Sequence, residues 1–225
     1  MLRISANKLN VIPNWLFELP KLSWVAFAGN PASDSLQVDS DLESIDWEDF
    51  IIQELLGEGA SGLIYKAKWI SKNKEVAIKV FKGAVTSDGL PEDEMEISIL
   101  AGVHESLVVF LGKVSNHPEG KNGLIMELIE PTFFNLGNPP NFDTCTRDTF
   151  NETTVLTEKD LLKITKSIAS VSTQLHSKGI NHGDLYAHNI LINTNANSLL
   201  GDYGAASYYN PNSDLAHNIE PVSYT

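Results

Sequence analysis

The sequence predicts an α+β fold, and three observations predict it. Short strand-like segments gather around one short helix, two of them meet at a glycine-rich turn, and a longer amphipathic helix follows an irregular stretch. Residues 50–70, FIIQELLGEGASGLIYKAKWI, alternate apolar and polar positions about a cluster of glycines, as two antiparallel strands joined by a turn would. Residues 74–83, KEVAIKVFKG, read as a third strand. The helix comes next, PEDEMEISILAGV at 91–103, with Pro91 at its start and acids in its first turn. Met95, Ile99 and Leu100 are expected to share its inward side. LVVFLGKVSN and NGLIMELIE supply two more strands. Residues 131–155 carry no period. From Thr157 the pattern is helical again, with Thr157 and Asp160 spaced to cap it and Gly179 placed to end it. Leu161, Leu162, Ile164, Ile168, Val171 and Leu175 are its expected apolar stripe.

Composition narrows the function classes. At 225 residues the chain can bury a core, and 42% hydrophobic with 20% charged residues is ordinary for a globular protein. A net charge of −13 argues against a nucleic-acid or anionic-membrane surface. No apolar run approaches the ~20 residues of a bilayer span. The first ten residues lack the apolar core of a signal peptide. One cysteine, Cys145, rules out an intrachain disulfide framework and fits a reducing cytosol, so a cytoplasmic location is expected.

The first thirty residues repeat. Leu2, Ile4, Asn7, Leu9, Ile12, Pro13 and Leu16 are followed by Val25, Phe27 and Asn30, which restate Leu2, Ile4 and Asn7 at an offset of 23. Residues 1–31 resemble the end of a leucine-rich repeat array, in which a short strand turns at an Asn. Such a coil implies a surface for a protein partner. Residues 33–49 hold seven acids and no base, so residues 32–46 read as an acidic linker.

The chemistry-bearing residues fall in a fixed order. Gly57, Gly59 and Gly62 form G-x-G-x-x-G between two strands, where glycines let the backbone approach phosphates. Lys79 ends VAIK, and an acid of the following helix would hold its amine at the α- and β-phosphates. Glu96 is the preferred partner, because EISIL then turns Ile99 and Leu100 inward, and Glu94 competes for the role. Asp184 suits the orientation or deprotonation of an acceptor hydroxyl. Asn189 and Asp202 are oxygen ligands suited to Mg²⁺.

In this order the motifs resemble a eukaryotic-type protein kinase catalytic domain over residues 47–210, and the whole chain resembles leucine-rich-repeat protein kinases. The resemblance implies a two-lobed fold: a sheet-rich N-lobe at 47–127 and part of a helical C-lobe at 128–225. It implies ATP and Mg²⁺ as cofactors and a protein substrate, with Ser or Thr preferred as acceptor. Glu127 and Ile129 would offer backbone groups to adenine, Met126 would line the pocket, and Ile64, Ala77 and Leu191 would sandwich the ring. Leu100, His182 and Tyr203 would form the column that aligns the lobes.

Two positions depart from the family pattern. Gly183 stands where many kinases carry the Arg that receives a phosphorylated loop, so Ser207, Tyr208 and Tyr209 are expected to matter less for activation. Tyr186 stands where a Lys steadies the transferring phosphate, and His188 occupies the place of a compensating Arg in tyrosine kinases. The HGD stretch also resembles small-molecule phosphotransferases. Three readings stand at this point: a weak or differently regulated protein kinase, a pseudokinase scaffold, and a small-molecule phosphotransferase.

Overall fold

The structure, a computed structural model, describes residues 2–22, 25–33, 42–83, 90–139, 141, 143–144 and 148–212. Cys145 and the acidic residues 34–41 lie outside the described residues.

Six strands form the main sheet: β3 (Ser44–Asp46), β4 (Phe50–Glu58), β5 (Gly62–Trp69), β6 (Lys74–Phe81), β7 (Phe110–Ser115) and β8 (Gly123–Glu127), in the order β3-β7-β8-β6-β5-β4. The β4–β5 hairpin is antiparallel and closes with Glu58 opposite Leu63 and Gly57 opposite Ile64. Strand β6 is central, pairing with β5 on one side and β8 on the other. Its sequence accordingly reads as a near-continuous apolar run, and Val76 and Ile78 are fully buried. The far face of the sheet closes over Ile45, Phe50, Ala67, Trp69, Val80 and Ile125.

The acidic stretch does not behave as linker throughout. Ser44, Ile45 and Asp46 form β3, an edge strand parallel to β7, with Ile45 seated in the core. Asp46 then caps a 3-10 turn at Trp47–Asp49 by accepting the Glu48 N–H. Acids here serve as turn caps, a role that a charge count cannot separate from solvation.

Helix α1 (Pro91–Ala101) follows β6 in chain order. Besides Pro91 at its start, its buried residues are Glu94, Ile97, Ser98 and Ala101, at i, i+3, i+4 and i+7, while Met95, Ile99 and Leu100 are only partly buried. The helix is therefore rotated from the expected face. Helix α2 (Glu158–Ser177) begins with the expected capping box between Thr157 and Asp160. Ile164, Val171 and Leu175 are buried, but Leu161 and Leu162 are exposed at 51% and 54%. A second core joins α1 to α2 and to the strands below, through Ile97, Ala101, Leu107, Val171, Leu175, Ile192 and Leu200.

The end of α2 also caps α1. Lys178 Nζ donates to the carbonyls of Leu100 and Ala101, both at 3.0 Å, and Gln174 Nε2 donates to Ala101 O at 2.8 Å. A cation at a helix C-terminus satisfies orphan carbonyls and opposes the negative end of the dipole. Gly102, at φ +71°, leaves room for it, since a Cβ there would stand 2.5 Å from Lys178 Nζ.

Five short strands complete the lower half. Strands β9 (Phe134–Asn135), β11 (Ile190–Ile192) and β12 (Ser198–Leu200) form one sheet, and β10 (Ile180–Asn181) pairs with β13 (Ser207–Tyr208). At the N-terminus β1 (Leu2–Arg3) pairs in parallel with β2 (Val25–Ala26), Leu2 opposite Val25, which is the 23-residue offset of the sequence repeat. Asn30 is 4% exposed. Its Nδ2 donates to Ile4 O and Phe27 O, both at 2.7 Å, and its Oδ1 accepts from Leu9 N at 3.2 Å.

Candidate active site

A cleft of about 280 Å³ opens between the glycine turn, α1 and the β11–β12 region. Its lining includes Gly59, Gly62, Ile64, Lys79 and Glu94 from above, Leu124, Met126 and Ile129 behind, and Leu191, Asp202 and Tyr203 below. Apolar walls with a few convergent charges suit a flat heteroaromatic ligand carrying phosphates. The glycines also fit that purpose. A Cβ on Gly57 or Gly59 would meet nothing within 4 Å, so protein packing does not require a bare backbone there. At Gly62 the requirement is internal, because a Cβ would lie 2.7 Å from Val80 O.

Lys79 projects from β6 into this cleft and forms an ion pair with Glu94. The expected partner, Glu96, is thereby corrected. The buried face of α1 runs through 94, 97, 98 and 101, and Glu96 lies off it. Burial raises the pKa of Glu96, whose charged neighbours are Asp93, Lys113 and Glu92 rather than Lys79. The side chains of Lys79 and Glu94 are only 15% and 4% exposed, so each neutralises a charge that could not stand alone there.

The loop from His182 to Asn189 is held from within. Asn189 Nδ2 donates to the Asp184 carbonyl at 2.8 Å and to its carboxylate at 2.9 Å. His188 Nε2 lies 3.7 Å from the Asp184 carboxylate, and its Nδ1 lies 3.9 Å from that of Asp148. Burial raises the pKa of Asp184, but His188 and Asn189 outweigh it and leave the carboxyl below its usual value. Conversely, the Asp184 carboxylate raises the His188 pKa, against the opposing effect of burial. The Tyr186 ring stacks on His188 at 5.8 Å with planes 17° apart.

His182 is buried beneath the loop, 5.5 Å from the Tyr203 ring. Its Nδ1 accepts from Asp184 N at 3.4 Å, which leaves Nε2–H to donate to Gly201 O at 3.0 Å. Burial pushes its pKa below the usual value, so the folded protein holds it neutral while the unfolded chain titrates at about 6.5. Below that pH the unfolded state binds the extra proton, so stability falls as pH drops. Denaturant midpoints measured from pH 8 to 5 should decline below about 6.5, and His182→Gln should flatten that decline.

The backbone explains Gly183. Its φ is +74°, and a Cβ would lie 2.3 Å from Ala205 O. No side chain fits without moving the segment beyond Asp202. Gly183→Ala is expected to cost about 2 kcal/mol from the left-handed backbone alone, and the clash adds to it. Thermal denaturation reads this directly. Asp202 is itself left-handed at φ +58°, and its Oδ1 accepts from Gly204 N at 3.0 Å. Strain at a non-glycine facing a cleft marks a position held for a purpose other than stability.

Tyr203 is buried, and its hydroxyl has no hydrogen-bond partner among the described residues. Burial raises its pKa strongly. Tyr203→Phe removes that unsatisfied group, and should stabilise the fold by about 1 kcal/mol in equilibrium unfolding.

Of the residues singled out from sequence, the cleft is lined by Gly59, Gly62, Ile64, Lys79, Glu94, Met126, Ile129, Leu191, Asp202 and Tyr203. Gly57, Ala77 and Glu127 lie outside that lining. Ala77 is buried in β6 opposite Met126, and Glu127 forms a 3.1 Å ion pair with Lys74. Asp184, His188 and Asn189 form a separate group tied together at the loop. Asp148 was not legible. It comes from the aperiodic stretch and accepts the Ala187 N–H at 3.0 Å, a contact only the tertiary fold creates.

Comparison with known proteins agrees with this geometry. The profile of the protein kinase domain family matches residues 50–225. A probable serine/threonine-protein kinase of Dictyostelium discoideum is 28% identical over 164 residues, 73% of this chain and 9% of the relative. A probable serine/threonine-protein kinase of Arabidopsis thaliana is 26% identical, over 76% of this chain and 22% of its own length. Cyclin-dependent kinase 1 of Encephalitozoon cuniculi is 28% identical over 70% of this chain and 50% of its own length. The chain thus spans half or less of the length of these relatives. The profile runs from the first strand of the hairpin through the Asp184 loop and beyond Asp202, over more than three quarters of the sequence, and the chain belongs to the protein kinase domain family.

Proposed function

We propose that this chain binds ATP in the cleft and transfers its γ-phosphate to a hydroxyl of a protein, Ser or Thr in preference to Tyr. The buried Lys79–Glu94 pair carries this reading, because an amine held at the mouth of a glycine-roofed cleft is placed for phosphates and is of little use to folding alone. The serine/threonine kinases among its relatives support the acceptor preference.

Each residue then has a task. Ile64, Leu191, Met126 and Ile129 face the base, and Gly59 and Gly62 let the backbone close on the phosphates. Asp184 is kept anionic, so it orients the acceptor hydroxyl and takes its proton. His188, its basicity raised by Asp184, is the group beside Asp184 that can take up a proton and offset charge on the reacting groups, where Tyr186 cannot. Asn189 and Asp202 offer hard oxygen donors that would hold Mg²⁺, and the bound ion would offset negative charge on the phosphates.

The N-terminal residues 1–31 are read as a leucine-rich-repeat coil that offers a surface to a protein partner. Parallel pairing at the 23-residue offset and the buried Asn30 hydrogen bonds support it. A cytoplasmic location remains the reading for a chain with one cysteine, and no helix among the described residues is long and apolar enough to cross a membrane.

A pseudokinase scaffold is the second reading, favoured by Gly183 and by Tyr186 in place of cations. One assay separates them. Radiolabelled phosphate from Mg-ATP should enter the chain or a generic basic protein, in an amount lost on Asp184→Asn. Saturable ATP binding without incorporation would sink the enzyme reading and leave the scaffold.

A further inference from the structure

The N-terminal coil does not stand clear of the catalytic machinery. Tyr209, fully buried, closes one apolar cluster with Ile12, Leu16, Val25 and Phe27 of the coil. Ala26 is fully buried against Ala205, with Tyr186 packed on the same contact. On the other side Gly29, at φ +71°, comes so close to α1 that a Cβ would lie 3.1 Å from Asp93 Oδ2 and 3.4 Å from Leu90 Cδ1. One short coil therefore touches the start of α1, the segment after Asp202, and Tyr186 of the catalytic loop.

We infer that the coil of residues 2–33 is a positioning element of the active site, clamping the first turn of α1 to the 205–209 segment so that Glu94 meets Lys79. Asp93 and Leu90 flank the start of the helix that presents Glu94, and Leu90 provides no side-chain cap for it. The helix thus starts without a side-chain cap from Leu90, and contact with the coil supplies a hold from outside. The segment below is held likewise. Tyr209 N donates to Gly179 O at 2.8 Å, and its ring sits in the coil's cluster, so the chain leaving Asp202 is pinned at both backbone and side chain. Both contacts coexist with a formed Lys79–Glu94 pair and with Asp202 in the cleft. The coil holds the assembled arrangement.

The choice of residues fits such a contact. Ala26 and Ala205 are small where two backbones converge, and Gly29 has no side chain where α1 approaches. A larger residue at any of the three would force the coil away from the lobe. A partner bound to the coil's outer face would then act on α1 through it, with a coupling set by how strongly that partner alters the clamp.

The catalytic consequence rests on the kinase reading, but the clamp itself does not, and the test separates them. Amide hydrogen exchange is measured on the full chain and on two variants, because Phe27→Asp alone could act by unfolding the coil. The second variant, Gly29→Ala, leaves the apolar cluster in place and strains the left-handed backbone at Gly29 together with its close approach to Leu90 and to Asp93 of α1. In both, exchange at 91–101 should rise at least tenfold while β4, β5 and β6 stay protected; in Phe27→Asp it should also rise at 203–209. Phosphate transfer should fall in parallel, mainly through kcat. Faster exchange confined to residues 2–33 would overturn the clamp. A rise in transfer would overturn it too, and would mark the coil as a block. If the parent chain transfers no phosphate, the kinase reading fails, while the exchange pattern still decides the clamp.

Discussion

Asp184→Asn lowers phosphate transfer about a thousandfold, with the fold and ATP binding retained. The substitution keeps an oxygen to accept the Asn189 Nδ2 hydrogen bond, now 2.9 Å from the carboxylate, so the loop keeps its internal tie. On the proposed function, it removes the anion that would orient and deprotonate an acceptor hydroxyl. It also removes the main cause of the raised His188 pKa, so the neighbouring cation weakens together with the base. Two effects thus fall on kcat from one change, and neither touches the cleft that holds the nucleotide. The measurement is kcat and the ATP KM side by side. A loss confined to KM would place Asp184 in binding and remove it from the chemistry.

Glu94→Gln lowers transfer at least tenfold, and Glu96→Gln leaves it within about twofold. The contrast follows from position on α1. Glu94 is buried and paired, so neutralising it leaves the Lys79 amine desolvated without a counter-charge, a loss of about 3 kcal/mol or more in buried pairs of this kind. Lys79 then turns toward solvent and no longer meets the phosphates. Glu96 lies off the buried face, and its electrostatic surroundings are dominated by other acids, so removing its charge relieves repulsion. Steady-state kinetics on the two variants, with thermal unfolding to confirm both fold, checks the pair. Equal losses would mean that helix α1 rotates in the working enzyme.

Most of the site was legible because its residues lie within short, ordered motifs. Glycines in a tight hairpin, a lysine on an apolar strand, and an acid five residues before an Asn announce themselves locally. The misassignment of Glu96 arose where local signals run out. Two acids two residues apart lie on different helix faces, and the choice rested on Ile99 and Leu100 pointing inward. The helix instead buries Ile97 and Ala101 against α2 and the lower core, which turns Glu94 toward Lys79. The apolar stripe of α2 erred for a similar reason, as Leu161 and Leu162 are exposed while Ile164, Val171 and Leu175 meet the core.

Gly183 shows the converse. In the sequence it read as a missing arginine, the lost cation of an activation switch. The backbone gives it a structural cause, since Ala205 O stands where any Cβ would go and φ is +74°.

By itself the sequence determined the hairpin and central strands of the main sheet, the two helices, the capped start of α2 and the 23-residue repeat, and it singled out Lys79, Asp184, Asn189 and Asp202 as candidates. These depend on neighbours a few residues apart, where period, turn chemistry and capping act. Only the tertiary structure decided which glutamate meets Lys79, that Asp148 stands beside His188, and that the N-terminal coil packs against Ala205 and Tyr209. Those contacts join segments distant along the chain, and their partners are chosen by the rotation of packed elements, a quantity no local pattern records.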